Sequence, residues 1–232
     1  MEVFMRNDDE NVKIAEGRSR VYKWLAQFFL MKPTFPSLTS ALNDSIILAI
    51  ENTVPDGRET LKWITEYSTN LGKEECEKLS IRYDELLNVP IPGKYVPPYE
   101  SCFQDALYMQ SISGYGELWG KATNLVNEFY LRNGFESTVE GVPPDHIGLE
   151  LLFMANICKL ESQAYSNNTQ KTTDKLQKEQ LTFLTEHIIN WLPFFAEKIV
   201  KSDKNGFYSN IVKLSKTFIQ SDLEYLNYSK KK

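Results

Sequence analysis

A chain of 232 residues, 42% hydrophobic and 25% charged, has the composition of a globular protein able to bury roughly 70% of its unfolded surface. Its formal charge of −5 argues against a general nucleic-acid binder, which would carry a basic face. The three cysteines, Cys76, Cys102 and Cys158, are scattered and form no C-x-x-C, which speaks against a disulfide framework or zinc knuckle and suits a reducing compartment.

Helical periodicity dominates from the start. Asn7-Asp8-Asp9 offers caps to a helix whose apolar positions Ile14, Val21, Trp24, Leu25, Phe28 and Phe29 recur at three- and four-residue steps until Pro33. No export signal is expected, because residues 1–17 lack an apolar stretch behind a basic start. Short helices are expected over residues 37–51 and 57–71, and another over residues 73–87 with Cys76, Leu79, Tyr83, Leu86 and Leu87 along one side. Residues 88–101 break the pattern. Pro90, Pro92, Pro97 and Pro98, together with Gly93, make this a stiff, extended loop rather than a flexible linker.

Helices resume to Leu107 and again over residues 115–133, with Gly134 as the C′ residue. A further helix is expected from His146 to about Tyr165, then a polar surface loop over residues 166–173. The long amphipathic stretch 176–201 should be kinked or split by Pro193. Residues 203–206 read as a turn, residues 207–226 as a last helix, and the Lys230-Lys231-Lys232 tail as a solvated end. No alternating strand pattern or fixed-period repeat is present, and no apolar run reaches the roughly 18 residues of a membrane span. The expectation is all-α: a single helical domain over residues 1–232 with an ordered core of about 10–228, located in the cytoplasm.

The most informative run is Val142-Pro143-Pro144-Asp145-His146-Ile147-Gly148-Leu149-Glu150. Two prolines remove backbone donors and rigidify the approach, and Asp145 stands where a helix N-cap belongs. His146, one of two histidines, follows, and Glu150 lies four residues on, along the same helical face. Nothing in helix formation requires that histidine. The plain alternative makes Asp145 only a cap and His146 a ring satisfied by a backbone carbonyl. The helix N-terminus, where the dipole favours an anion, leads to the expectation that the pair is partly accessible in a cleft.

Enzyme motifs are scarce. G-x-G-x-x-G, the P-loop, the G-x-S-x-G elbow and H-E-x-x-H are all missing, so dinucleotide and P-loop readings lack their phosphate cradle and no metal or other cofactor is expected, while the binding of a nucleotide stays open. A small metal-assisted hydrolase built on Asp145, His146 and Glu150 remains an alternative, as does a nucleophilic pair of Cys102 or Cys158 with His146. A helical interaction scaffold without a peptide groove is a third reading.

Three blocks, Tyr83-Asp84-Glu85-Leu86-Leu87, Pro97-Pro98-Tyr99-Glu100-Ser101 and Pro143-Pro144-Asp145-His146-Ile147-Gly148-Leu149-Glu150, resemble the signature blocks of the TorD/DmsD/NarJ family of redox-enzyme maturation chaperones. The C-terminal stretches around Phe183–His187, Trp191–Phe195, Gly206–Tyr208 and Phe218–Asp222 are also similar to that family, so the resemblance runs from about residue 15 to 226. Val142 departs from it, since family members commonly carry glutamate just before the prolines; Glu140 lies two positions off. The resemblance implies a TorD-like helical bundle without catalytic turnover. Its implied partners are the twin-arginine signal peptide and the apo form of a molybdenum oxidoreductase subunit, with transient contact to the export machinery; monomer and homodimer both stay open. By the same resemblance the peptide groove uses Tyr83, Leu86, Leu87, Pro98, Tyr99, Asp145 and His146. The residue chemistry adds that Leu86, Leu87, Pro98 and Tyr99 suit an apolar segment, while Glu100, Asp145 and Glu150 suit guanidinium groups. The net negative charge favours encounter with a basic peptide. The Pro90–Pro98 loop is expected to lie close to the start of the Asp145 helix.

Overall fold

The computed structural model describes residues 2–108, 115–137 and 139–229, and every element among them is helical apart from one isolated bridge. The chain order is α1 (Glu2–Leu30), α2 (Phe35–Ala41), α3 (Asp44–Thr53), α4 (Arg58–Thr69), α5 (Lys73–Tyr83), α6 (Glu100–Tyr108), α7 (Lys121–Arg132), α8 (Ile147–Ser166), α9 (Gln170–Phe183), α10 (Ile189–Ser202) and α11 (Phe207–Ser229). Lys230, Lys231 and Lys232 lie outside the described residues.

Helix α8 is the axis of the bundle. Its apolar residues occupy nearly every angle of the helix, and Ile147, Leu149, Leu151, Phe153, Met154, Ile157 and Cys158 are all buried. Its longest partner is α1. The two backbones meet closely at Gly148, where a Cβ would stand 2.4 Å from Leu30 Cγ. Phe129, Tyr130, Phe153 and Phe183 form a continuous aromatic cluster of edge-to-face and tilted pairs joining α7, α8 and α9.

A buried ionic knot ties the ends of the chain to the middle. Arg18 donates to Glu161 on α8 at 2.7 Å, to Asp222 on α11 and to Gln180 on α9. Tyr22 Oη donates to Asp222 at 2.6 Å, and Gln180 donates to Glu161 at 2.9 Å. With both carboxylates and the guanidinium multiply bonded, burial of the charges is compensated by geometry.

Several expectations require correction. The first helix begins at Glu2, so Asn7-Asp8-Asp9 lies inside it rather than capping it. Residues 37–51 are two helices, separated at Asn43, whose side chain caps α3. The helix expected over residues 115–133 is shorter, because Gly120 is extended and α7 starts at Lys121. The connection after α8 is three residues long, and α9 starts at Gln170. Pro193 does not split α10. It stands one turn into that helix, where its missing N–H would have paired with Ile189, and the irregularity falls just upstream as a π-turn over Leu184–Ile188. The Gly134 and Asp203–Gly206 expectations hold: Gly134 has φ +66° behind α7, and Gly206 N–H closes the turn onto the Asp203 carbonyl.

Candidate functional site: two stitched loops over a buried acid–histidine cluster

The proline loop and the start of α8 are stitched together as expected. Tyr99 and His146 form an antiparallel bridge in which Ile147 N–H donates to Pro98 O and Glu100 N–H donates to Asp145 O, both at 2.9 Å. Tyr130 Oη holds the second loop from below, donating to Pro144 O at 3.0 Å. On the other side Val96 N–H donates to Leu86 O at 2.8 Å, fastening the proline loop to the π-turn Asp84–Asn88 that ends α5. π-turns of this kind are frequent at functional sites because the extra residue re-aims side chains.

The capping roles are exchanged relative to expectation. His146 is the N-cap of α8: its Nδ1 accepts from Gly148 N–H at 3.0 Å, which leaves the ring proton on Nε2. Asp145 instead serves the neighbouring helix, its Oδ2 accepting from Ser101 N–H at 2.9 Å in the first turn of α6. Two helix starts that face each other are thus closed by adjacent residues. The pair is not in a cleft. Asp145 is 0% and His146 5% exposed, which overturns the expected accessibility. Burial pushes the His146 pKa down to about 3, so the ring is neutral.

Glu100, at the start of α6, meets His187 of the π-turn Leu184–Ile188. His187 Nδ1 lies 3.0 and 3.2 Å from the two carboxyl oxygens, and Gln104 donates to one of them. Glu150 accepts from Trp191 Nε1 at 3.2 Å and lies against the Glu100 carboxyl, while Asp145 Oδ1 has no hydrogen-bond partner among the described residues. Desolvation, reinforced by Glu100, raises the Glu150 pKa well above its ordinary value, which favours the protonated acid. Desolvation also raises Glu100, against the opposing pull of His187. The acids expected to face guanidinium groups are therefore sealed inside, because a buried carboxyl escapes its desolvation cost by taking a proton or a partner.

The apolar candidates are also inside. Leu86 and Leu87 belong to the core, Pro98 is buried, and Tyr83 donates its hydroxyl to Phe29 O at 3.1 Å. Burial, with Tyr99 and Asp84 nearby, pushes the Tyr83 pKa up to about 12. Leu86, Leu87 and Pro98 are all buried and so offer little open apolar surface of their own. Tyr99 alone of the nine candidates is partly exposed, its ring edge-to-face with His146 at 5.1 Å. The structure thus gathers Tyr99, Glu100, Asp145, His146 and Glu150 into one cluster and joins Tyr83, Leu86 and Leu87 to it through the proline loop.

Sequence reasoning gave no site role to His187, Trp191, Tyr130 or Gln104. The available signal was that His187 is the second of two histidines. Outside the cluster lies a small cavity of 140 Å³ where Glu100 and His187 meet the rim residues Glu128, Glu186 and Arg132. Glu128 and Glu186 are exposed, and the Arg132 guanidinium stacks 3.7 Å from the Phe129 ring centroid. The metal-assisted hydrolase loses its support: Asp145, His146 and Glu150 turn to separate partners, and no three metal-ligating side chains converge among the described residues.

The family profile described as "Nitrate reductase delta subunit" matches residues 52–197, a span that contains every element of this cluster. Among curated relatives, the "Chaperone protein TorD" of Photobacterium profundum is 25% identical over 94% of this chain and 97% of its own. The protein of the same name from Aliivibrio salmonicida is 30% identical over 91% of this chain and 95% of its own. That of Vibrio cholerae serotype O1 is 25% identical over 91% and 93%.

Proposed function

The chain belongs to the nitrate reductase delta subunit family, the TorD/NarJ family of its sequence blocks, and on that premise we propose that it is a maturation chaperone of a molybdoenzyme. Its work is binding rather than turnover. In this reading it acts in the cytoplasm, where it holds the apo form of a molybdenum oxidoreductase subunit by its twin-arginine signal peptide, assists cofactor insertion and delays export. The observation that carries the proposal is similarity to chaperones over nearly the whole of both chains. The stitched loops supply a rigid platform to go with it.

Tyr99 is the contact residue on this platform. It is the partly exposed member of the cluster, and its ring is pre-oriented by His146, so little rotamer freedom is lost on binding. The exposed rim carboxylates Glu128 and Glu186 provide what the buried acids cannot: negative charge in solvent range of a leader arginine. Glu100, Asp145, His146 and Glu150 then act as positioning residues beneath that surface.

The test is calorimetry of the full chain with the twin-arginine leaders of the molybdenum oxidoreductases of the same organism. Micromolar affinity, about −8 kcal/mol, is expected. Tyr99→Ala should weaken binding more than either Glu128→Gln or Glu186→Gln, because exposed ion pairs contribute about 0–1 kcal/mol whereas aromatic anchors contribute more. Absence of binding by the unaltered protein would overturn the proposal.

A further inference from the structure

An apolar concavity runs along α1 and does not include Tyr99; its lining residue Leu30 packs against Gly148 in the first turn of α8. It is a groove of 600 Å³ between α1 and α3, closed at its base by Leu152 of α8. Val21, Trp24, Ile46 and Ile50 form its floor and walls, and the Trp24 indole N–H is turned away to the Ala41 carbonyl, 2.8 Å off, so the floor offers no unmet donor. The groove follows α1 from Gly17 to Met31, about 21 Å at 1.5 Å per residue, which is the length of a helix of about four turns. Met31, half exposed at its far end, adds an adaptable contact.

Charge identifies the occupant. The chain carries 31 acidic residues against 26 basic ones, yet the residues lining this groove include Arg20 and Lys23 and no carboxylate. Both cations stand on the exposed edge of α1, and the pair that Arg20 makes with Glu16 is itself exposed and exchangeable. An arginine-rich leader would meet like charge here.

We propose that the α1–α3 groove docks an amphipathic helix of the client enzyme, its apolar face on Trp24, Ile46 and Ile50 and its acidic edge on Arg20 and Lys23. The client as source rests on the chaperone reading; the chemistry of the helix rests on the groove alone. Anchors at i, i+3, i+4 and i+7 would enter between the two helices, as amphipathic helices do in apolar grooves. The site is separate from Tyr99, so leader and helix bind together.

The probe is a fluorescein-labelled synthetic helix of about 15 residues, with leucines at three- and four-residue steps and glutamates along one edge. A second probe replaces the glutamates with lysines. Fluorescence anisotropy with the full chain should show the acidic probe binding and the basic one binding at least tenfold more weakly. Arg20→Glu/Lys23→Glu should reverse that preference, and such an exchange of partners survives any loss of stability that a single affinity would not. Ala49→Trp, which fills the groove from an exposed position, should abolish binding of the acidic probe while the leader peptide binds as before.

Equal binding of both probes, or none of the acidic probe, would overturn the proposal and leave the chaperone reading standing if the leader still binds. Loss of leader binding in Ala49→Trp would make the leader the occupant instead. Self-association of the chain that Ala49→Trp removes, seen by sedimentation, would make the occupant a second copy.

Discussion

Burial decides what each of the site's ionisable groups does, and two of them pull stability in opposite directions with pH. His146 is held neutral with a pKa of about 3 against an ordinary 6.5, so its contribution is present above 6.5 and is lost as the pH falls from 6.5 toward 3. The slope approaches about 1.4 kcal/mol per pH unit within that window. Urea midpoints at pH 7 and pH 5 should show this drop, and His146→Asn, whose side chain still caps, should flatten it. Glu150 behaves conversely. Its folded-state pKa is raised, so its contribution is intact below the ordinary 4.5 and is lost as the pH rises above it. Glu150→Gln, which mimics the protonated acid and keeps an acceptor for Trp191, should therefore be tolerated at pH 7 and lower the pH dependence. Glu150→Ala should cost about 2–5 kcal/mol, by leaving a cavity and an unpaired indole N–H.

Between helices, the close approach at Gly148 sets the spacing of α1 and α8. Gly148→Ala should destabilise by about 1–3 kcal/mol, and Leu30→Ala in the same chain should recover part of that, since the nearest atoms the added Cβ meets all belong to Leu30. A double-mutant cycle by urea unfolding measures the coupling. Much of this level was legible in the sequence. The α8 run and the stiff proline loop followed from proline chemistry and apolar spacing, while the nearness of that loop to His146 rested on the position of both loops at helix ends and on the family resemblance of their blocks. The π-turns did not, because a one-residue insertion in a helix leaves the three- and four-residue pattern nearly unchanged; its effect is to rotate His187 onto Glu100. The exchange of caps between Asp145 and His146 was equally hidden. Sequence shows which residue can cap, while the orphan N–H of a helix 44 positions away decides which one it caps.

At the scale of the molecule, the Arg18 knot joins α1, α8, α9 and α11, and an all-α fold was readable where the partnership of its ends was not. Arg18→Ala strands Glu161 and Asp222 without their cation and should cost about 3–5 kcal/mol. Arg18→Lys should recover little, because one ammonium cannot span three acceptors on different helices. Thermal unfolding of the three proteins checks both expectations. A large loss in Arg18→Lys as well as Arg18→Ala would mark the fork geometry, rather than the charge, as the essential property.

The same knot has a consequence for how the protein is made. Arg18 and Asp222 are 204 residues apart, and at about 5–20 residues per second a ribosome needs on the order of 10–40 s to deliver the second after the first. Throughout that interval α1 waits with a cationic side chain unpaired, and with an apolar stripe that α3 covers in part and that α8, and later α11, must complete. A helper of other proteins' assembly is thus itself vulnerable during translation, and a chain stopped before Phe207 should accumulate as aggregate rather than as a shorter soluble bundle. Ribosome-stalled chains ending before and after α11, compared by protease resistance of α1, would date the moment when the nascent protein closes on itself.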